Sequence, residues 1–185
     1  MFRKLLTKIA NELDKHHISY MVIGGQAVLL YGEPRLTKDI DITLDMEVEG
    51  FERMKDVIGN LTLRILIDDP EGFLQKTMVL PTIDDKTGIK VDFIFSFSQY
   101  EKKAIKRAVG VKFGRTIVKF ASLEDIIIHK IIAGRARDIE DIKTILLKNP
   151  NYEAKYIKGW LGQFDKSLNE NFSSTFEKTL EEISK

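Results

Sequence analysis

The chain has 185 residues, of which 43% are hydrophobic and 31% charged, with a formal net charge of +1. That is enough apolar material for a real core, and too little charge imbalance to demand nucleic acid or suggest disorder, so one domain with a helical extension is expected. The absence of cysteine excludes disulfides, thiolate catalysis and cysteine-based zinc or iron–sulfur sites.

Leu5, Ile9, Leu13 and Ile18 recur at helical spacing and predict an amphipathic helix over residues 1–17. The charged start Phe2-Arg3-Lys4-Leu5-Leu6 is followed by no signal-peptide core and cleavage site. The longest apolar run, around Ile126 to Ile132, is broken by His129 and Lys130 and is too short to span a bilayer. A cytoplasmic protein without a membrane partner is expected. His16 and His17 are adjacent rather than four apart, and read as surface residues rather than metal ligands.

Tyr20 to Ile23 is a short apolar run ending in Gly24-Gly25; a helix-compatible segment follows, and Pro34 breaks it. This reads as strand, Gly-turn, helix, loop. Glycines without Cβ atoms let a ligand's phosphates approach the backbone, and the next helix start offers unpaired N–H groups, so the turn is a candidate anion site. In Asp39-Ile40-Asp41-Ile42-Thr43-Leu44 the period of two puts Asp39, Asp41 and Thr43 on one face and Ile40, Ile42 and Leu44 on the other. Carboxylates two positions apart, with Cα atoms roughly 6.5 to 7 Å apart, can converge on a hard divalent cation.

Downstream, the acids from Asp45 to Asp56 with Val48, Phe51, Met54 and Ile58 on one side predict a helix. Leu61 to Ile67 reads as a strand, Asp68-Asp69-Pro70 as a turn, Phe73 to Leu80 as a short mixed segment, and Asp84 to Gly88 as a second turn. Ile89 to Phe95 alternates again, with Val91, Phe93 and Phe95 on one face and Asp92 on the other beside Lys90 and Ile94. A carboxylate inside so apolar a strand is costly to bury without a partner or a metal. Lys102, Lys103, Lys106, Arg107, Lys112, Arg115 and Lys119 form a basic run without an acid among them. Two readings stand for it: phosphate contacts with a nucleic acid or nucleotide, or a helix end and a hairpin turning at Gly114 with solvated charges.

Ser122 is a plausible cap for a helix in which Lys130 points into the apolar face. Gly134 breaks that helix, and the next one carries Asp138 within its apolar arc and Asp141 at its margin. An ion pair between Lys130 and Asp138 accounts for this, and so does a ligand contact. After Asn149-Pro150-Asn151, Tyr156, Ile157, Trp160, Leu161 and Phe164, and then Phe172, Phe176, Leu180 and Ile183, predict two helices forming a cap or an interface.

Gly24-Gly25, then Arg35-x-Thr37-x-Asp39-x-Asp41, then a later lone aspartate on a strand resembles the nucleotidyltransferase superfamily typified by DNA polymerase beta and the aminoglycoside nucleotidyltransferases. The small branch around the AbiEii-type toxins is the nearest likeness. The resemblance implies an α+β fold, a mixed β-sheet flanked by helices, with residues 1–121 as the core and 122–185 as a C-terminal helical region. It implies Mg²⁺ or Mn²⁺ on Asp39, Asp41 and Asp92, with an NTP as substrate bound at Gly24, Gly25, Arg35 and Thr37. Lys130 would contact phosphate, and Asp138 would orient the lysine, acceptor or nucleotide. Asp92 would complete the carboxylate cluster or act as general base. The expected activity is transfer of an NMP from an NTP to an acceptor hydroxyl on a tRNA end, a protein or a small molecule, in a toxin-like or RNA-modifying enzyme that could carry an antitoxin partner. The alternatives are a non-catalytic nucleotide-binding module and an RNA-binding module that keep the fold.

Overall fold

The computed structural model describes residues 1–34 and 36–184. Its seven strands form one mixed sheet, in the order β3-β4-β5-β2-β1-β7-β6. They are β1 (Tyr20–Ile23), β2 (Asp39–Leu44), β3 (Arg64–Ile65), β4 (Val79–Asp84), β5 (Ile89–Phe95), β6 (Val109–Phe113) and β7 (Thr116–Phe120). β1 pairs in parallel with β7 and β2 in parallel with β5; the other neighbours are antiparallel. Helices among the described residues are α1 (Phe2–Lys15), α2 (Gly24–Tyr31), α3 (Phe51–Leu61), α4 (Pro70–Thr77), α5 (Gln99–Lys106), α6 (Leu123–Ala133), α7 (Ala136–Lys148), α8 (Ala154–Leu168) and α9 (Phe172–Ile183). This is the α+β architecture with a mixed sheet that the sequence predicts. No described helix is long and apolar enough to cross a membrane.

The chain divides into two compact units, and the division passes through α2. The first holds the whole sheet with α1 and α3 to α5; the second holds the segment beginning at Ala27 and everything from Ser122 onward.

In the first unit the alternation of β2 and β5 does what the period of two demands. Ile40, Ile42 and Leu44, with Val91, Phe93 and Phe95, are fully buried on one face of the sheet. On the same face α1, amphipathic through Leu5, Leu6, Ile9, Ala10 and Leu13, packs on β7 and α3. Arg3 stacks 4.6 Å from the Phe113 ring centroid, and Thr116 Oγ1 donates to Asn11 Oδ1 at 3.0 Å.

Two segments differ from expectation. The strand expected over 61–67 shrinks to β3, because the apolar side of α3 continues through Val57, Ile58 and Leu61 and the helix takes Leu61. The mixed segment from Phe73 resolves into α4 and the start of β4. Asp69 accepts from Gly72 N–H at 3.0 Å, and Pro70 stands at the first helical position, where its missing N–H costs nothing, so Asp69-Pro70 starts a helix rather than only turning the chain.

In the second unit, Ser122 Oγ accepts from the Asp125 N–H at 3.2 Å and donates to Asp125 Oδ2 at 2.7 Å, while Tyr156 O–H donates to Asp125 Oδ1 at 2.9 Å. Asp125 is thus a fully buried carboxylate bonded from both α6 and α8. Gly134 ends α6 at φ +63°, a left-handed cap that a side chain would strain. Ile157, Leu161 and Phe176 are fully buried, and Trp160 packs 6.0 Å from Phe164. Ser122→Ala removes the α6 cap and is expected to cost about 1 kcal/mol, lowering the melting temperature by about 2–4 °C. Thermal unfolding followed by circular dichroism checks this; an unchanged melting temperature would show that the cap contributes nothing.

Candidate functional site

β1 runs into α2 without a loop, so the double glycine lies inside the first helical turn rather than in a separate turn. Gly24 takes φ +63°, and a Cβ there would collide with Asp41 Oδ2. The Asp41 carboxylate therefore lies against the first residue of α2, a contact only glycine permits. The register agrees: Ile23 pairs with Asp41 across β1 and β2.

On the other side of β2, the parallel register sets Asp39 beside Lys90 and Asp41 beside Asp92. Asp39 is exposed, while Asp41 and Asp92 are half-buried. Burial foremost, and then the negative charge of Asp39, push the Asp92 carboxyl above the ordinary carboxylate range, against an opposing pull from Lys90. Gly25 is buried in α2, and Thr37 Oγ1 donates to the Asp39 carbonyl at 3.3 Å. Arg35 lies outside the described residues. The structure thus brings Gly24, Asp39, Asp41 and Asp92 together.

Two further residues belong here. Lys90 is legible in the sequence only as a face neighbour of Asp92, and the register makes it the neighbour of Asp39. Gln26, at 7% exposure, has a buried Nε2 without a hydrogen-bond partner in the third residue of α2. Leaving such a donor unmade costs about 1–3 kcal/mol. No periodicity in the sequence marks it.

Among the described residues no three acidic or histidine side chains gather into a cage for a metal ion. Magnesium does not require one, because it is commonly held by one or two carboxylates together with substrate phosphate oxygens. The register pair Asp41 and Asp92 with Asp39 alongside supplies oxygen donors only, which suits a hard divalent cation that arrives with a nucleotide.

In the second unit, Lys130 is 5% exposed and its Nζ lies 2.8 Å from Asp138 Oδ1 and 2.7 Å from Asp141 Oδ2. Arg135 Nε donates to Asp138 Oδ2 at 2.6 Å. Burial raises the Asp138 carboxyl, but the hydrogen bonds from Arg135 and Lys130 outweigh it and hold the group below the ordinary carboxylate range. Asp141, expected at the margin of α7, is buried at 7% exposure, with its Oδ2 close to the same ammonium.

A family model described as a nucleotidyltransferase of unknown function (DUF6036) matches residues 2–155. No curated protein sequence matches the chain. Several solved structures share the fold. ANT(2'')-Ia in complex with adenylyl-2''-tobramycin is 18% identical with a TM-score of 0.60, covering 90% of this chain and 98% of that one. The lincomycin-bound lincosamide antibiotic adenylyltransferase LnuA is 15% identical with a TM-score of 0.54, over 77% of this chain and 94% of its own. An antigenic nucleotidyltransferase-like protein from Paracoccidioides brasiliensis is 16% identical with a TM-score of 0.55, over 95% and 91%.

Replacing the buried lysine leaves two buried carboxylates facing each other, so Lys130→Met is expected to lose about 3–5 kcal/mol, a fall of about 10 °C or more in melting temperature. The pH dependence has a fixed sign. Because the folded-state pKa of Asp138 is depressed, its stabilisation is present above the ordinary carboxylate pKa and is lost as pH falls through the depressed value. Acid titration of parent and Asp138→Asn followed by near-UV circular dichroism should show the parent alone losing this increment. A Lys130→Met protein as stable as the parent would assign the lysine to a ligand instead.

Proposed function

Because the chain belongs to the DUF6036 family of nucleotidyltransferases, we propose that it is a divalent-metal-dependent enzyme transferring an NMP from an NTP to an acceptor hydroxyl, with its chemistry at Gly24, Asp39, Asp41 and Asp92. The observation that carries this reading is the position of Asp41, in register with Asp92 on one side and against the first residue of α2 on the other. The start of α2 and the carboxylate pair therefore meet at Asp41. The N–H groups of the first turn of α2 have no partner within the helix and attract phosphate oxygens.

A bound Mg²⁺ or Mn²⁺ supplies charge neutralisation for the phosphates and for the leaving pyrophosphate. Asp39 and Asp41 would hold that ion. Asp92 accepts the proton of the attacking hydroxyl. The acceptor oxygen forms its bond to the α-phosphorus while the bond from that phosphorus to the bridging oxygen breaks, and pyrophosphate departs with the electron pair. A carboxyl held above its ordinary range is a better match for a proton acceptor than a freely solvated one.

We assign Lys130, Asp138 and Asp141 to setting α6 against α7. A phosphate role for Lys130 would require the ammonium to leave two carboxylates that hold it at 2.8 and 2.7 Å.

The test of the whole reading is incubation of the purified protein with each α-labelled NTP, Mg²⁺ and a cell extract, because the labelled product identifies base and acceptor together. Absence of any labelled product with all four nucleotides and either metal would overturn it. Asp92→Asn keeps the side chain's shape and removes its charge. That variant should bind a non-hydrolysable NTP within about tenfold of the parent, roughly 1.4 kcal/mol, and lose single-turnover transfer on the order of a hundredfold or more. Ionised Asp92 is the working form, so parent transfer should fall as pH drops into the carboxylate range, at a lower pH than in the metal-free protein because a bound cation would favour the ionised carboxylate. In the metal-free folded protein ionisation of Asp92 is the disfavoured state, so stability is lost as pH rises through its raised pKa, and Asp92→Asn should be no less stable than the parent at neutral pH. Equal transfer by parent and Asp92→Asn would reduce Asp92 to a strand-face residue.

A further inference from the structure

The basic run is left unused by the chemistry above, and two of its lysines border a hollow of about 520 Å³ within the first unit. Lys106 at the end of α5, Lys119 on β7, Asp14 in the last turn of α1 and Asp45 just after β2 all line it. Tyr20 opens β1 there, and across the sheet Tyr20 pairs with Leu44, whereas Ile23 at the other end of β1 pairs with Asp41. The hollow therefore lies at the end of β1 and β2 away from Gly24 and Asp39. Its size suits a small molecule, since ligand clefts run to about 300–1,000 Å³.

The charges around the hollow are balanced and uncommitted. Lys102, one turn before Lys106, is held by Glu47 at 2.8 Å, but among the described residues Asp14, Asp45, Lys106 and Lys119 form no ion pair, with one another or with any other group. Two anions and two cations thus border one space without closing it. Asp14 stands at the negative end of α1, where a carboxylate is disfavoured, so helix stability does not account for it. The Lys119 ammonium lies over Gly110, where a Cβ would come within 3.7 Å of Nζ, two residues from Ala108 on the wall of the hollow. Tyr20 is 3% exposed, and its hydroxyl oxygen accepts from the Lys119 N–H at 3.3 Å, yet its own proton has no acceptor among the described residues. Burial foremost pushes that phenol up to about 12, so it stays a neutral donor at physiological pH.

We propose that this hollow is a second binding site, for a small zwitterion of amino-acid size, with Asp14 and Asp45 taking its ammonium group and Lys106, Lys119 and the Tyr20 hydroxyl taking its carboxylate. The balance of charge selects the class. A polyanion would meet Asp14 and Asp45, and a polycation would meet Lys106 and Lys119, so each is opposed by two like charges; a zwitterion finds an opposite charge at both of its ends. Ile18 and Ile105, behind the charged groups, are buried at 3% and 6% exposure, so the floor belongs to the core and needs no ordering when the ligand arrives. The four charged side chains are themselves exposed, and water competes for them, which sets the affinity on the order of millimolar. An occupant touches the strands that carry the candidate carboxylates without competing for Gly24, Asp39 or Asp41.

The test is an NMR titration of the isotope-labelled protein with ε-aminocaproate at low salt, without NTP or metal, following the backbone amides. Saturable shifts are expected at Ser19, Tyr20, Asp45 and Ala108, with a dissociation constant on the order of 1 mM. Hexylamine and hexanoate keep the chain length and one charge each, and both should bind at least about tenfold more weakly. Asp14→Asn with Asp45→Asn, and separately Lys106→Gln with Lys119→Gln, should also weaken binding at least about tenfold while the rest of the spectrum stays in place, because all four side chains are exposed. Lys8→Gln, which removes an exposed charge of α1, should change nothing. The site is overturned if no saturable shift appears by about 50 mM, if either single-charge compound binds as tightly as the zwitterion, or if either double variant binds like the parent. The outcome stands apart from the transfer reading: a protein that binds the zwitterion and labels no acceptor loses only the transfer activity, and one that transfers label without these shifts loses only this site.

Discussion

The parallel pairing of β2 with β5 is the constraint on which the rest of the site depends. It is a register in which Ile40, Ile42 and Leu44 meet Val91, Phe93 and Phe95 on one face. Because the side-chain period is two, the same alignment must set Asp41 beside Asp92 on the other face. A slip of one residue would turn the carboxylates into the core and the isoleucines out of it. The hydrophobic effect therefore holds the polar site in place, although the polar groups themselves repel one another. Asp92 shows that tension directly: burial and Asp39 raise its pKa, and only Lys90 relieves it.

The entry into α2 imposes a second constraint of the opposite kind. At Gly24 the chain turns from strand to helix with a positive φ, and the missing Cβ is the space the Asp41 carboxylate occupies. Backbone donors at a helix start and a carboxylate normally attract each other, so the close approach costs little in the free protein. It also means that an incoming phosphate meets both an anion and an anion site within one contact. A divalent cation held there, as proposed, would resolve that conflict.

The buried ion cluster of the second unit works differently. Lys130 reaches two carboxylates on α7, all three buried, and Arg135 covers one of those carboxylates from the solvent side. Such clusters contribute modestly to net stability but are costly to break in half. This one ties α6 to α7 through a single ammonium.

Most of the candidate site's arrangement is legible in the sequence. Gly24-Gly25, Asp39, Asp41 and Asp92 follow from period-two alternation, the glycine pair and the cost of a carboxylate in an apolar strand, and these are local properties. The inward Lys130 and Asp138 follow equally from helical angles. What local pattern could not contain was pairing between segments far apart in sequence. Helical continuation of α3 through Leu61 displaced the expected strand at 61–67, since burial of Val57 and Ile58 outweighed local strand preference. Asp69-Pro70 carried turn chemistry that serves a helix start equally well, and only the Gly72 N–H decided between them. Lys90 gained a meaning when β2 lay beside β5, and the buried amide of Gln26 had no sequence signal at all. Even the basic run was ambiguous until the fold gathered Lys106 and Lys119 with Asp14 and Asp45 around one hollow. The sequence determined by itself which residues are acidic, apolar or glycine and on which side of a strand each stands, because those depend on spacing alone. Which strands became neighbours, and so which charges share a face, was decided only by the tertiary structure, because register between distant segments is set by the burial of their other faces.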